Sequence, residues 1–83
     1  MIYDNVRRIR QAKGVTASHI AGKLGITKQG YHYIEAGTTG LTAERLGIIA
    51  DVLGEKVEVF FSQSLTDFVI DENEKKGVSV LTN

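Results

Sequence analysis

The chain contains no cysteine, and none of its apolar runs is longer than three residues. Without cysteine it can form neither a disulfide nor a cysteine zinc site. Runs such as IIA, VFF and FVI are far too short to span a bilayer, and the N-terminal MIYDNVRRIRQAKG lacks the apolar core of a signal peptide. We therefore expect a soluble, cytoplasmic protein with no membrane association.

Chemically reactive groups are also scarce. The sequence shows no nucleophile paired with a general base, no set of metal ligands and no glycine-rich loop that could bind phosphate. The two histidines, His19 and His32, have no metal-ligand spacing and no carboxylate partner pattern. With 83 residues the chain has room for one small domain with a modest core. We expect no enzyme, no metal and no cofactor.

The net charge of zero hides an uneven distribution of charge. Residues 1–45 carry seven lysines and arginines against three acidic residues, whereas residues 63–83 carry two against four. The N-terminal half is therefore basic and the tail acidic, which hints at a polyanionic partner for the first half. The alternative is that these charges only solvate a surface.

A repeated order of cap, apolar stripe and glycine indicates four helices in the first 54 residues. Ile2, Val6 and Ile9 have helical spacing and predict a first helix over residues 3–13, ended by Lys13-Gly14. Threonine N-caps predict three further helices. The first of these helices begins after Thr16 and ends at Gly25, the second begins after Thr27 and ends at Gly37, and the third begins after Thr42 and ends at Gly54.

The second and third helices are joined by a very short turn, which a helix-turn-helix requires. Small helical bundles use the same joint, so the turn alone leaves both architectures open. At 100° per residue, Tyr31 and Ile34 mark the buried side of the third helix. Gln29 and Tyr33 lie opposite, flanked by Lys28 and by His32. These side chains are long and can form hydrogen bonds, and they lie near the helix N-terminus. A recognition helix contacts base edges with the residues at that end.

The run from residue 5 to about residue 54 resembles the Cro and phage-repressor type helix-turn-helix domains, the XRE family. The matching motifs are K-G-V-T, A-x-K-L-G-I-T, I-E-x-G and L-x-x-I-A-x-x-L-G, in one order and spacing. The resemblance implies a mainly α fold, a four- to five-helix repressor-like domain over residues 1–54. It also implies a DNA-binding transcriptional regulator that acts as a repressor and whose third helix enters the major groove.

The resemblance places five residues at DNA-contacting positions: Thr27, Lys28, Gln29, His32 and Tyr33. Ser18, at the start of the second helix, and Thr38, in the loop after the third, are further candidates for DNA contact. The chemistry agrees for three of the first five. Gln29 can bond adenine N6 and N7 together, Lys28 can donate to guanine, and Thr27 suits a phosphate. The competing interpretation is that Lys28 and Gln29 are solvated helix residues and that Tyr33 packs on a loop.

The chain departs from the family pattern at two phosphate-contacting places. Ala17 stands where many members have glutamine, and the usually basic loop after the third helix is Thr38-Thr39-Gly40. Fewer charged phosphate contacts predict modest affinity per protomer and a need for dimerisation or a second partner. Gly30 costs about 1 kcal/mol of helix propensity relative to alanine, so we expect a close approach there, either to the second helix or to a phosphate. The alternative is a tolerated glycine that has no role.

Two further expectations concern structure. The resemblance implies an ion pair between Arg10 and Glu35, with Arg10 as a phosphate contact being the alternative.

After Gly54, LGEKVEVFF fits either a fifth helix or a strand, and its alternation favours a strand at 56–61. FVID and VSVLT are strand-like too, so residues 55–83 form either a strand extension with a hairpin or a disordered tail.

The predicted strand resembles the extension of HipB-like antitoxins, in which a strand pairs between protomers. An unpaired edge is a liability, so we expect a homodimer with Val57, Val59 and Phe61 at its interface. The alternative is an intramolecular hairpin with FVID or VSVLT, which would cover the same edge without a dimer. Two functions follow: a dimeric DNA-binding repressor, or an antitoxin whose C-terminal segment holds a protein partner such as a toxin and which autoregulates through DNA.

Overall fold

The computed structural model describes the backbone of residues 1–82 and the side chains of residues 1–75. Within this part the chain is helical throughout, with short connections. The helices are α1 (Ile2–Ala12), α2 (Ala17–Leu24), α3 (Lys28–Glu35), α4 (Ala43–Leu53), α5 (Glu58–Phe61) and α6 (Gln63–Thr82). None of the described helices combines the length and the hydropathy that a membrane span needs.

The ends of α2, α3 and α4 follow from local side-chain chemistry. Thr16, Thr27 and Thr42 each accept a hydrogen bond from the backbone N–H three residues further on, at 3.0–3.1 Å. Each therefore satisfies an N–H that has no partner inside the helix. Gly25 and Gly54 end α2 and α4 in the left-handed conformation, with φ of 71° and 69°. The predicted caps and the four predicted N-terminal helices are confirmed.

A single hydrophobic core joins the first five helices. α1 contacts α3, α4, α5 and α6, while α2 packs on α3 and α4. Apart from alanines, the buried apolar side chains of this core come from all five helices. They are Val6, Ile9, Ile20, Tyr31, Ile34, Leu46, Ile49, Leu53 and Phe60.

The predicted C-terminal strand is wrong, because the described residues contain no β-strand. Residues 58–61 form the short helix α5, Ser62 is extended, and FVID and VSVLT both lie within α6. The β-propensity of the run VEVFF is outweighed by packing. As a helix, the segment buries Phe60 in the core and pairs its own backbone groups, so no strand edge has to be covered.

This correction also removes the predicted strand pairing between protomers. Val57 and Val59 are half-buried and pack against the core of their own chain. Phe61 is 62% exposed and lies at the end of α5. These three residues do not form one strand edge, so a dimer built on strand pairing does not follow from the structure.

Polar contacts hold α5 and α6 on α1. Asn5, which is buried, donates its side-chain Nδ2 to the carbonyl oxygen of Phe60 at 2.9 Å. Arg8 donates to Asp67 of α6 at 2.7 Å. The fully buried Thr66 donates its hydroxyl to a carbonyl oxygen of α5 at 2.8 Å. The C-terminal helices are thus attached to the same body as the first four.

Candidate nucleic-acid interface

The turn between α2 and α3 consists of Gly25, Ile26 and Thr27. Gly25 adopts a positive φ that other residues rarely adopt, and the N–H of Ile26 donates to the carbonyl oxygen of Ala21 at 3.0 Å. The chain therefore leaves α2 sharply and starts α3 at once with the Thr27 cap. Ala21 is buried and small, so α2 and α3 can pack closely. This is the joint of a helix-turn-helix.

α3 is divided cleanly into a buried and an exposed side. Its buried residues are Tyr31, Ile34 and Glu35, and its exposed residues include Lys28, Gln29, His32 and Tyr33. The division follows from helical periodicity, since the apolar residues recur at i and i+3. Four of the residues predicted to contact DNA therefore share the outward side of one short helix.

Thr27 and Ser18 present hydroxyl groups at the starts of α3 and α2. Both residues are exposed. The Thr27 Oγ1 accepts from the N–H of Gly30 at 3.0 Å, which uses one lone pair and leaves its proton free to donate. A capping threonine can therefore bind an anion at the same time as it holds the helix N-terminus.

Thr38 is arranged differently from the other predicted contacts. Its hydroxyl donates to the carbonyl oxygen of Tyr33 at 3.1 Å, and its backbone N–H donates to the same oxygen at 3.0 Å. Thr39 directs a third donor there at 3.3 Å. Both donors of Thr38 thus close the C-terminal end of α3, and neither is free for a phosphate in this arrangement.

Gly30 lies against the cap of its own helix. A Cβ built at Gly30 would lie 3.2 Å from Thr27 Oγ1 and 3.9 Å from the Ile26 side chain. The tightest neighbour within the protein is therefore the capping hydroxyl and not α2, which was one of the two approaches expected from the sequence. A side chain at this position would press on the cap that orients the start of α3.

Behind α3, a buried polar cluster fixes its position relative to α1. Arg10 forms an ion pair with Glu35, and its Nη1 donates to the carbonyl oxygen of Val15 at 3.0 Å. Glu35 raises the pKa of Arg10 above its ordinary value, so the guanidinium stays charged. The pKa of Tyr31 is also raised, chiefly by burial and secondly by the adjacent Glu35. The ion pair thus fixes the buried side of α3 to α1, on the side of the helix away from its exposed polar residues.

Most of the basic charge in the N-terminal half is neutralised within the protein. The ion pairs are Arg7–Asp4, Arg8–Asp67, Arg10–Glu35 and Lys13–Glu55. Among the described side chains, Lys23, Lys28 and Arg45 of this half have no carboxylate at ion-pair distance. These three cations lie on α2, α3 and the first turn of α4.

Lys23 and Arg45 were not among the residues predicted from the sequence. Arg45 Nη1 lies 3.5 Å from the carbonyl oxygen of Gly40, so its guanidinium lies over the loop that lacks basic residues. A usable signal was present, because a basic residue three positions after the Thr42 cap points back towards the preceding loop. Arg45 therefore places a positive charge where the loop itself has none.

Comparison with known proteins agrees with this geometry. The family model for helix-turn-helix proteins matches residues 6–60, more than half of the chain. The chain is also 28% identical over 72 residues to the SPbeta prophage-derived uncharacterized HTH-type transcriptional regulator YonR of Bacillus subtilis (strain 168). This alignment covers 87% of the chain and 67% of the relative. No solved structure matches. The chain belongs to the XRE-type helix-turn-helix family of DNA-binding regulators.

Proposed function

We propose that the protein binds double-stranded DNA sequence-specifically, with α3 in the major groove, and represses the genes beside its site. The observation that carries this proposal is the outward side of α3, where Lys28, Gln29, His32 and Tyr33 are exposed together beside a short turn from α2. B-DNA's major groove admits one α-helix, and the N-terminal residues of a recognition helix reach base edges.

The side chains at the start of α3 have complementary hydrogen-bonding abilities. Gln29 carries a donor and an acceptor in one plane and pairs with adenine N6 and N7. Lys28 carries only donors and pairs with guanine O6 or N7. His32 and Tyr33, one turn further along, contact bases or sugars at the next step. We assign base reading first to Lys28 and Gln29.

Phosphate contacts fix the helix in the groove without reading sequence. We assign them to the hydroxyls of Ser18 and Thr27 and to Lys23 and Arg45, which are not neutralised by neighbouring carboxylates in the described chain. With so few cations, affinity per protomer is modest and strongly salt-dependent. We therefore retain a homodimer in the proposal. Its two recognition helices would read half-sites roughly 34 Å apart.

Repression is the regulatory mode that needs nothing beyond DNA binding, because a bound protein occludes a promoter. The relative's printed name likewise describes a transcriptional regulator. The antitoxin alternative was based on a strand at 56–61, and residues 58–61 of that segment form a helix. We therefore propose the repressor and not the antitoxin.

The test is selection of bound sequences from random DNA by the full chain, repeated with Gln29→Ala. We expect an enriched half-site and, for the variant, a loss of about 1–3 kcal/mol on that site with one base position relaxed. Gln11→Ala is the matched control, since it removes an exposed glutamine from α1. It should leave both affinity and preference unchanged.

Two outcomes would contradict the proposal. Failure to enrich any sequence would remove sequence-specific binding, and an unchanged preference in Gln29→Ala would remove the assignment of Gln29. A transcription assay with the selected site overlapping a promoter then tests repression. Increased transcription on adding protein would show an activator instead.

A further inference from the structure

Gly30 lies in the first turn of α3 and does not have a positive φ. Glycine weakens a helix relative to alanine, so its presence at a position with ordinary helical geometry has to be explained. It lies one helical turn from Thr27 and one from Tyr33, between two residues that we assign to DNA contact. Gly30 is partly exposed, so a group from outside the protein can reach it.

The cap of α3 does not by itself require a glycine at this position. A built Cβ would lie 3.2 Å from Thr27 Oγ1, which is a tight contact. His19 of α2 and Arg45 of α4 stand in the same place, three residues after a capping threonine that accepts from their N–H, and both carry a Cβ. The next nearest atoms belong to the Ile26 side chain, at the ordinary distance of 3.9 Å. The reason for the glycine therefore lies outside the described part of the protein.

The chemistry of the surface at Gly30 favours an apolar group. The N–H of Gly30 donates to Thr27 Oγ1 at 3.0 Å, so it has no proton left for a phosphate oxygen. The Cα of Gly30 remains, next to the side chain of Ile26, which is also partly exposed. In the major groove, the apolar group that base edges present is the C5-methyl group of thymine.

We propose that Gly30 is a specificity-determining residue whose Cα, together with the Ile26 side chain, contacts the C5-methyl group of one thymine in the bound DNA. This inference rests on the proposed function, since it requires α3 to lie in the major groove. The absence of a Cβ lets the methyl group come close to the helix backbone. Because Gln29 is the preceding residue, the thymine lies in the base pair that Gln29 reads or in an adjacent one.

The first test uses the full chain and the DNA duplex that it enriches from random sequences. Each thymine in turn is replaced by deoxyuridine, which removes only the C5-methyl group. Affinity is measured by fluorescence anisotropy at one salt concentration. At one position we expect binding to weaken about fourfold, because the contact of one methyl group is lost. This scan needs no variant of the protein, so its result does not depend on the folding of a variant.

The second test repeats the scan with Gly30→Ala. The added Cβ occupies the place of the thymine methyl group, so the variant should bind the parent's site about tenfold more weakly. It should also lose the preference for thymine over uracil at the sensitive position. Gly47→Ala is the matched control, since Gly47 lies within α4 and its built Cβ meets nothing within 4 Å. The control should keep both the affinity and the thymine preference, and urea melts show whether both variants are folded.

The outcomes separate this inference from the proposed function. If the parent chain enriches no sequence, the proposed function fails and this inference fails with it. If the parent enriches a site in which no thymine is sensitive to loss of its methyl group, the inference is wrong and the proposed function stands. If Gly30→Ala binds weakly but keeps the full thymine preference, Gly30 approaches another part of the DNA, such as a sugar. If Gly30→Ala binds as tightly as the parent, the glycine is merely tolerated.

Discussion

The ring of Tyr3 lies directly against Gly37. Gly37 follows α3 with φ of +78°, and a Cβ built there would lie 2.6 Å from Tyr3 Cζ. Real Cβ atoms do not come so close to a neighbouring atom, so either the ring or the chain after α3 would have to move. The glycine therefore allows both the left-handed turn and the contact between α1 and the end of α3.

Gly37→Ala should destabilise the protein by about 2–5 kcal/mol, because backbone strain and the collision with Tyr3 add together. Gly14→Ala is the matched control, since Gly14 has φ of +70° and nothing within 4 Å of its built Cβ. It should cost only the strain, about 1–2 kcal/mol. Urea melts of both variants measure the difference. Equal losses would show that Tyr3 yields easily.

The Arg10–Glu35 pair leads to a second prediction. Arg10 Nε donates to Oε2 at 2.6 Å and Nη2 donates to Oε1 at 3.0 Å, with side chains 12% and 4% exposed. Removing one partner leaves a buried lone charge, so Arg10→Met and Glu35→Leu should each cost about 3–5 kcal/mol. The double variant should lose much less than the sum of the single losses.

Denaturant melts of the three proteins give the coupling free energy. Lys75 and Asp71, one turn apart on α6, provide the control, because this pair is exposed and 3.4 Å apart. Lys75→Met, Asp71→Leu and their double variant should be nearly additive. Strict additivity for Arg10 and Glu35 as well would mean that the buried pair contributes no coupling.

Local signals account for what could be predicted from the sequence. The threonine caps, glycine ends and helical periodicity of residues 1–54 each depend on residues within one or two helical turns, and the observed α1 to α4 agree with them. The same periodicity correctly separates the exposed side of α3 from its buried side. These features depend little on distant parts of the chain, so sequence patterns describe them well.

The C-terminal third could not be predicted because distant contacts decide it. The run VEVFF alternates like a strand, yet Phe60 is held by Asn5, which is 55 residues away. Asn5 itself lies between Ile2 and Val6 on the buried stripe of α1, and a polar residue there was a signal of a buried hydrogen bond. Ser62, whose Oγ accepts from the N–H of Leu65 at 3.2 Å, was an unrecognised N-cap for α6.

Burial of Tyr31 leads to a prediction at high pH. Its hydroxyl has no hydrogen-bond partner of normal geometry among the described residues, and burial raises its pKa well above the usual value near 10. In the unfolded chain Tyr31 ionises near pH 10, whereas in the folded chain it stays protonated. Below about pH 10 the Tyr31 hydroxyl is protonated in both states, so it causes no loss of stability with pH. Above about pH 10 the unfolded state loses this proton and the folded state keeps it, so the free energy of unfolding falls by up to about 1.4 kcal/mol per pH unit.

Tyr31→Phe should remove this part of the loss. At pH 7 the variant should be within about 1 kcal/mol of the parent, because the lost hydroxyl had no partner. At pH 11 it should be the more stable protein. Tyr33→Phe, which removes an exposed hydroxyl from the same helix, should retain the loss. Urea melts across this pH range measure all three, and parallel curves for parent and Tyr31→Phe would contradict the assignment.

The last prediction concerns Phe60 and Phe61, neighbours in α5 with opposite surroundings. Phe60 is fully buried, and Phe61 is 62% exposed. Phe60→Ala should cost about 3–5 kcal/mol, since it leaves a cavity beside α1, whereas Phe61→Ala should cost less than about 1 kcal/mol. A chain cut after Gly54 loses Phe60 altogether, so we expect it to be at least as unstable as Phe60→Ala. Thermal melts of the three proteins decide this. A truncated chain as stable as the full one would show that residues 1–54 fold independently of α5.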